Sequence, residues 1–314
     1  MNGRIPPAVL ALVPLPETTL DALRSQYALH HYPDGMPSGV PSADAIRAVV
    51  TNGSTGLSDA QMALLPALEI ICAFGAGYEN VDLEAATRRG IVVTHAPGTN
   101  ADTVADHAFG MLLALARGYA PLTAAVQQGR WQHSRQARPT LSGAALGIVG
   151  MGRIGRLIAA RAKGFAMTIG YHGRRAQADA PGRYYATPAA LAAASDFLVI
   201  ACNGGPETRH LIDRPVLQAL GNSGYIVNVA RGSVLDTRAL LEALTLGEIA
   251  GAGLDVIDNE PEVPAELFRQ RDVLITPHMA GRSPASWLAQ RDALLASLSQ
   301  HFARQRVQLV VPAA

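Results

Sequence analysis

The stretch Gly150-Met151-Gly152-Arg153-Ile154-Gly155 constrains this chain more than any other. An apolar run, 146–149, leads into it, and a helical pattern leads out, with Ile154, Leu157, Ile158 and Ala162 on one face. A second apolar run, 167–171, follows. Strand, glycine turn, helix and strand in that order make a βαβ unit whose helix N-terminus faces a pyrophosphate. Gly150 permits the tight turn and Gly152 the close approach of the ligand. Gly155 lets the helix pack on the sheet, and Gly164 stands where a C-terminal cap belongs. A glycine turn with no ligand is the alternative, and the flanking elements argue against it.

The same rhythm runs along the chain. Apolar runs 9–13, 48–51, 70–74 and 91–94 precede the glycine stretch, and 197–201, 225–229, 253–256 and 273–276 follow it. Short continuous apolar runs suit strands covered on both faces of a parallel sheet. Helical stretches rich in Ala and Leu, such as 187–194 and 237–246, lie between them. The pattern predicts an α/β fold of two Rossmann-like, doubly wound parallel-sheet domains. At roughly 100–200 residues per domain, 314 residues also make two. The spacing of Val104, His107, Ala108, Met111, Leu112 and Leu115 predicts a long helix over 102–117. Loops rich in Pro, Gly and polar residues occupy 97–100 and 135–143, and a last helix is predicted over 286–304. A nucleotide core in the middle of the chain leaves the first domain discontinuous. The expected division is 1–99 with 285–314 for substrate and 100–284 for the dinucleotide.

Composition excludes other classes. With 49% hydrophobic residues, 16% charged residues and a net charge of +1, the chain is no disordered polyelectrolyte. It also lacks the field that draws nucleic acid or an anionic membrane. The longest apolar candidate, 109–116, ends at Arg117, short of the roughly 20 residues that span a bilayer. Pro6, Pro7 and Pro14 interrupt the N-terminal stretch and no cleavage pattern follows, so no signal peptide is expected. Cys72 and Cys202 are too few for a disulfide framework and read as small core residues, which predicts a reduced cytosol. No metal site is expected. His30 and His31 have no companion at ligand spacing and read as surface residues. His107, on the apolar helix, reads as a satisfied core histidine.

The end of the run 167–171 bears on the cofactor. An NAD site places a carboxylate there for the ribose 2′-hydroxyl. This chain reads Tyr171-His172-Gly173-Arg174-Arg175 instead. Gly173 leaves room, and two guanidinium groups suit a 2′-phosphate. NADP(H) is therefore expected over NAD(H), the alternative being that Arg174 and Arg175 form a solvated turn.

Three polar groups follow later apolar runs. They are Arg231 after Asn228-Val229-Ala230, Glu260 after Asp255, and His278 after Thr276-Pro277. Ligands of open α/β sheets sit outside the carboxyl ends of strands, so all three are candidates for one crevice. Reduction of a 2-keto acid needs such a set. His278 supplies a proton to the carbonyl oxygen, Glu260 holds the imidazolium and raises its pKa, and Arg231 binds the carboxylate and polarises the carbonyl. Singly, each has a structural explanation as a core His, a surface Arg or a turn Glu.

With these stretches the chain resembles the D-isomer-specific 2-hydroxyacid dehydrogenases, particularly their glyoxylate/hydroxypyruvate reductase branch. Further matching segments are 75–82, 102–107, 129–131, 206–212 and 254–261. The resemblance implies an Arg231–Glu260–His278 triad, and substrate carboxylate held by the backbone amides of Ala76 and Gly77. It implies that Thr103 or Val104 lies near the cofactor; with the glycine turn and the strand end read above, the expected cofactor site comprises Thr103, Gly150, Met151, Gly152, Arg153, Ile154, Gly155, Gly173, Arg174, Arg175, Ala230 and His278. Asp255 is placed on the nicotinamide carboxamide. It further implies a cleft between two domains and a homodimer built around the long helix. Asn203-Gly204-Gly205 and Gly281-Arg282 depart from the family pattern. Trp131 borders the substrate site across the dimer or serves as a partly buried packing anchor. The implied substrates are glyoxylate and hydroxypyruvate, with 2-ketogluconate or an aryl pyruvate behind them. Phosphite oxidation is an alternative; formate oxidation is disfavoured because formate enzymes of the family carry Gln where Glu260 stands. A cofactor-sensing corepressor-like role is the alternative outside catalysis.

Overall fold

The computed structural model describes residues 6–311. The first residues of the N-terminal stretch and the last three of the chain lie outside them. The chain divides into two compact units, one of residues up to Asn100 with those from Ser283 onward, the other Ala101–Arg282.

The first unit has five parallel strands, β1 (Ala8–Ala11), β2 (Ala28–His31), β3 (Ile46–Thr51), β4 (Ile70–Ala73) and β5 (Val92–Thr94), in the order β2-β1-β3-β4-β5. Alternate residues feed two cores. Leu10, Val49 and Ile71 pack on one face, and Val9, Val50, Ile70 and Cys72 on the other. Coverage on both faces is why these strands read as unbroken apolar runs. The last helix, Pro284–Phe302, begins at a Ser283–Ser286 capping box and lays Leu294 and Leu298 on the second face. This return makes the unit discontinuous in sequence.

The second unit has seven parallel strands. They are β6 (Ala145–Val149), β7 (Thr168–His172), β8 (Arg183–Tyr184), β9 (Phe197–Ile200), β10 (Tyr225–Asn228), β11 (Gly251–Leu254) and β12 (Val273–Ile275), ordered β12-β11-β10-β9-β6-β7-β8. The strand order reverses between β6 and β9, so the glycine turn after β6 lies at the switch point, where ligands of such sheets bind. The helix Ala101–Arg117 buries Val104, Ala108, Met111, Leu112 and Leu115 in the core on one face. Truncating Leu112 to Ala there costs about 2–5 kcal/mol. Gly118 ends that helix in the left-handed region (φ 67°), and Arg138 caps it by donating to Leu115 O at 2.8 Å. No single helix among the described residues is long and apolar enough to cross a membrane.

All ten apolar runs become strands. Two further strands, β2 and β8, lie at sheet edges. His30 and His31, expected at the surface, sit half-buried on β2, and the His31 ring Nε2 bonds Val13 O at 3.0 Å. Gly164 does close its helix, but in the right-handed region (φ −64°). The left-handed turn falls two residues on, at Ala166 (φ 52°).

Candidate active site

Turns beyond β10, β11 and β12 carry the three polar groups. Asn228, fully buried at the end of β10, accepts from Ala230 N at 3.0 Å and donates to Arg231 O at 3.1 Å. These bonds set the turn that presents Arg231. At Gly232 any Cβ collides with the Ile257 carbonyl, so glycine lets this turn nest against the one bearing Glu260. The Arg231 Nη1 donates to Ala230 O at 2.7 Å. Its aliphatic stem passes Gly204, in the departing loop after β9.

Glu260 is held at both oxygens. Oε1 accepts from Ile257 N at 3.0 Å and Oε2 bonds His278 Nδ1 at 2.7 Å. Burial pushes the Glu260 pKa up; the His278 bond, the Ile257 amide and the charges of His278 and Arg231 outweigh it and hold the carboxyl below its ordinary value. With Nδ1 engaged, Nε2 is the ring atom left to meet a ligand, and the His278 side chain is 40% exposed.

His278 sits in the left-handed region (φ 48°), and its N–H donates to Asp255 O at 2.8 Å. The Asp255 carboxylate, only 2% exposed, accepts from Thr276 Oγ1 at 2.6 Å, Met279 N at 2.9 Å and Ala280 N at 2.9 Å. Most of its acceptor capacity is therefore spent on the turn around His278. One acceptor position on Oδ2 remains. His107, on the helix Ala101–Arg117 and expected in the core, is half-buried. Its Nε2 bonds Thr276 Oγ1 at 3.0 Å. Thr103 stands half-buried in the first turn of the same helix.

The glycine turn after β6 fits a dinucleotide. Gly150 has φ 102°, and a Cβ there lies 2.6 Å from the backbone of Cys202. A Cβ at Gly155 collides with Gly150 O, so the helix Arg153–Lys163 packs tightly under the turn. At Gly152, the N-cap of that helix, a Cβ meets nothing within 4 Å, which leaves open space at the helix N-terminus. Met151 is buried and Ile154 half-buried. At the end of neighbouring β7, Gly173 also faces open space. Arg153, Arg174 and Arg175 are exposed and form no ion pair with any described residue, whereas Arg156 is committed to Asp179 at 2.9 Å. Arg174 and Arg175, two uncommitted guanidinium groups at a strand end that carries no carboxylate, are able to take a phosphate.

In the first unit, Gly75-Ala76-Gly77 follows β4. Gly75 has φ 125°, its carbonyl accepts from Ala96 N at 2.7 Å, and the Ala76 carbonyl bonds the His95 Nδ1 at 2.9 Å. The N–H groups of Ala76 and Gly77 donate to no acceptor among the described residues, so both remain available to an anion.

Trp131 is 61% exposed, which corrects its reading as a packing anchor within the chain. Arg282 is also exposed. Four positions escaped the sequence reading: Asn228, Thr276 and His95 as turn-holding partners, and Gly204 beside the Arg231 stem. A polar residue closing an apolar run was the available signal for Asn228 and Thr276. Nothing local marked His95, and Gly204 stood out only as part of the departing stretch Asn203-Gly204-Gly205.

A seven-stranded parallel sheet with a phosphate-fitting turn at its switch point and a His–Glu pair beyond neighbouring strands defines a nucleotide-binding oxidoreductase. The chain belongs to the D-isomer-specific 2-hydroxyacid dehydrogenases: residues 109–280 match the family's NAD binding domain. It is 40% identical to a glyoxylate/hydroxypyruvate reductase A of Arabidopsis thaliana, over 82% of this chain and 83% of that protein. It is 38% identical to a hydroxyphenylpyruvate reductase of Plectranthus scutellarioides, over 83% of each. Among solved structures, it resembles an NADPH-dependent glyoxylate/hydroxypyruvate reductase of Sinorhizobium meliloti, in complex with NADP and malonate. The TM-score is 0.90 at 33% identity, covering 99% of this chain and 98% of that one.

Proposed function

We propose that this chain is an NADPH-dependent reductase of small 2-keto acids, of the glyoxylate and hydroxypyruvate type, forming D-2-hydroxy acids. The observation that carries the reading is the 2.7 Å bond between His278 Nδ1 and Glu260, with Arg231 close enough to lower the Glu260 pKa. Arg231 binds the substrate carboxylate and polarises the keto group. His278 delivers a proton from Nε2 to the carbonyl oxygen, and Glu260 keeps the ring oriented and balances its charge. The reduced nicotinamide, when bound, supplies the hydride. The amides of Ala76 and Gly77 take the substrate carboxylate in the first unit, which acts as the substrate domain.

The second unit acts as the dinucleotide domain. Gly150 to Gly155 hold the pyrophosphate, Gly173 makes room, and Arg174 and Arg175 take the 2′-phosphate. Thr103, Ala230 and the remaining Asp255 acceptor line the nicotinamide. The enzyme works as a homodimer in a reduced cytosol. Exposed Tyr119, Val126 and Trp131, just beyond the long helix, support the dimer.

A second reading, reduction of an aryl pyruvate, is favoured by the hydroxyphenylpyruvate reductase relative. Initial rates with NADPH or NADH against glyoxylate, hydroxypyruvate, 2-ketogluconate and phenylpyruvate decide between them. Fast NADPH oxidation with glyoxylate or hydroxypyruvate is expected. A rate only with phenylpyruvate selects the second reading. Tight NADPH binding without turnover on any acid removes the reductase.

A further inference from the structure

The turn that presents His278 is tied to an element distant in sequence. Its neighbours on both sides, Thr276 and Met279-Ala280, bond to one carboxylate, that of Asp255. Thr276 spends its hydroxyl proton on Asp255 Oδ1, so toward His107 its oxygen acts as acceptor and His107 Nε2–H as donor. The chain of bonds therefore has a direction, His107 to Thr276 to Asp255. His107 Nε2 also lies 3.6 Å from Asp255 Oδ1, and its side chain is 19% exposed. His278 itself holds a left-handed conformation that a non-glycine residue adopts only when its surroundings impose it. Asp255 and Thr276 impose it, and His107 fixes both to the long helix.

We propose that His107 is a positioning residue for the proton donor: it polarises and anchors the Thr276–Asp255 pair, and so keeps His278 in its left-handed turn. It touches neither substrate nor cofactor in this role. The inference rests on the reading of His278 as the proton donor.

The link is made by Nε2, and that sets the test. A Gln at position 107 places an N–H donor where the His Nε2 stands, whereas Asn is too short to reach Thr276. In the purified full-length enzyme, His107→Asn is expected to lower kcat for the keto acid about tenfold, the cost of one lost part-buried hydrogen bond and a loosened donor. KM for NADPH should change less than kcat does, because the glycine turn is untouched and only the Asp255 acceptor toward the nicotinamide is loosened. His107→Gln should recover most of kcat. Thr276→Val should lower kcat to a similar extent, and the double variant His107→Asn/Thr276→Val should be no slower than the slower single one. Wild-type kcat in His107→Asn, no recovery in His107→Gln, or multiplied losses in the double variant each overturn the proposal. His278→Gln run alongside separates the two readings. If it retains turnover, His278 is not the donor, whatever His107 does. If it abolishes turnover while His107→Asn is silent, only the role of His107 falls.

Discussion

Gly204 lies against the stem of Arg231: a Cβ on residue 204 stands 2.6 Å from Arg231 Cγ and 3.0 Å from Arg231 Cβ. These are the root atoms of the side chain, so rotation at its far end relieves nothing. Gly204→Ala is expected to displace the guanidinium and cut kcat/KM for the keto acid by about tenfold or more. NADPH affinity should be unaffected. Steady-state kinetics at varied keto acid and varied NADPH check both parts.

The Glu260 carboxyl is held below its ordinary pKa in the folded chain. A lowered folded-state pKa contributes stability that is complete above the unfolded-state value and is lost as pH falls through the folded one. The melting temperature of the wild type should therefore exceed that of Glu260→Gln by a constant margin from neutral pH down to the ordinary carboxylate range. Below that range the margin should shrink toward zero. A margin that grows on acidification contradicts the assignment. Glu260 is partly open to solvent, so the margin should be small and should narrow with added salt.

Arg174 and Arg175 follow β7 with no ion-pair partner among the described residues. The double change to Ala should raise KM for NADPH at least about tenfold and leave KM for NADH nearly unchanged. Raising salt should mimic the change for NADPH alone. Equal effects on both cofactors place 2′-phosphate recognition elsewhere.

Burial pushes the thiol pKa of Cys72 up to about 12 and that of Cys202 to about 11. At neutral pH neither forms an appreciable thiolate, so both should resist a thiol reagent in the native protein. Both should react at once in denaturant. Rapid labelling of Cys202 in the native state would mean that the loop after β9 opens.

The sheet strands were legible because burial on both faces demands unbroken apolar residues, and 70–74 or 197–201 have no other explanation. The glycine turn was legible because Gly150 and Gly155 answer to backbone collisions, with the chain just after β9 and within the turn itself, while Gly152 keeps the helix N-terminus open. Edge strands β2 and β8 were missed since one side of each is unpaired, and half-exposed residues such as Ala28-Leu29-His30-His31 need no apolar pattern. His278, Glu260 and Arg231 were nameable as candidates, because each follows an apolar run within a few residues.

Sequence by itself determined the α/β rhythm, the phosphate-fitting turn, the missing carboxylate after β7 and the identity of the polar candidates. These are properties of neighbours along the chain. Tertiary structure alone decided which of them meet. His107 and Thr276 are 169 residues apart and share a hydrogen bond, and Gly204 meets the stem of Arg231 because β9 and β10 are paired. Such contacts depend on strand order and on the crossing of a helix over a sheet, and no local propensity encodes either.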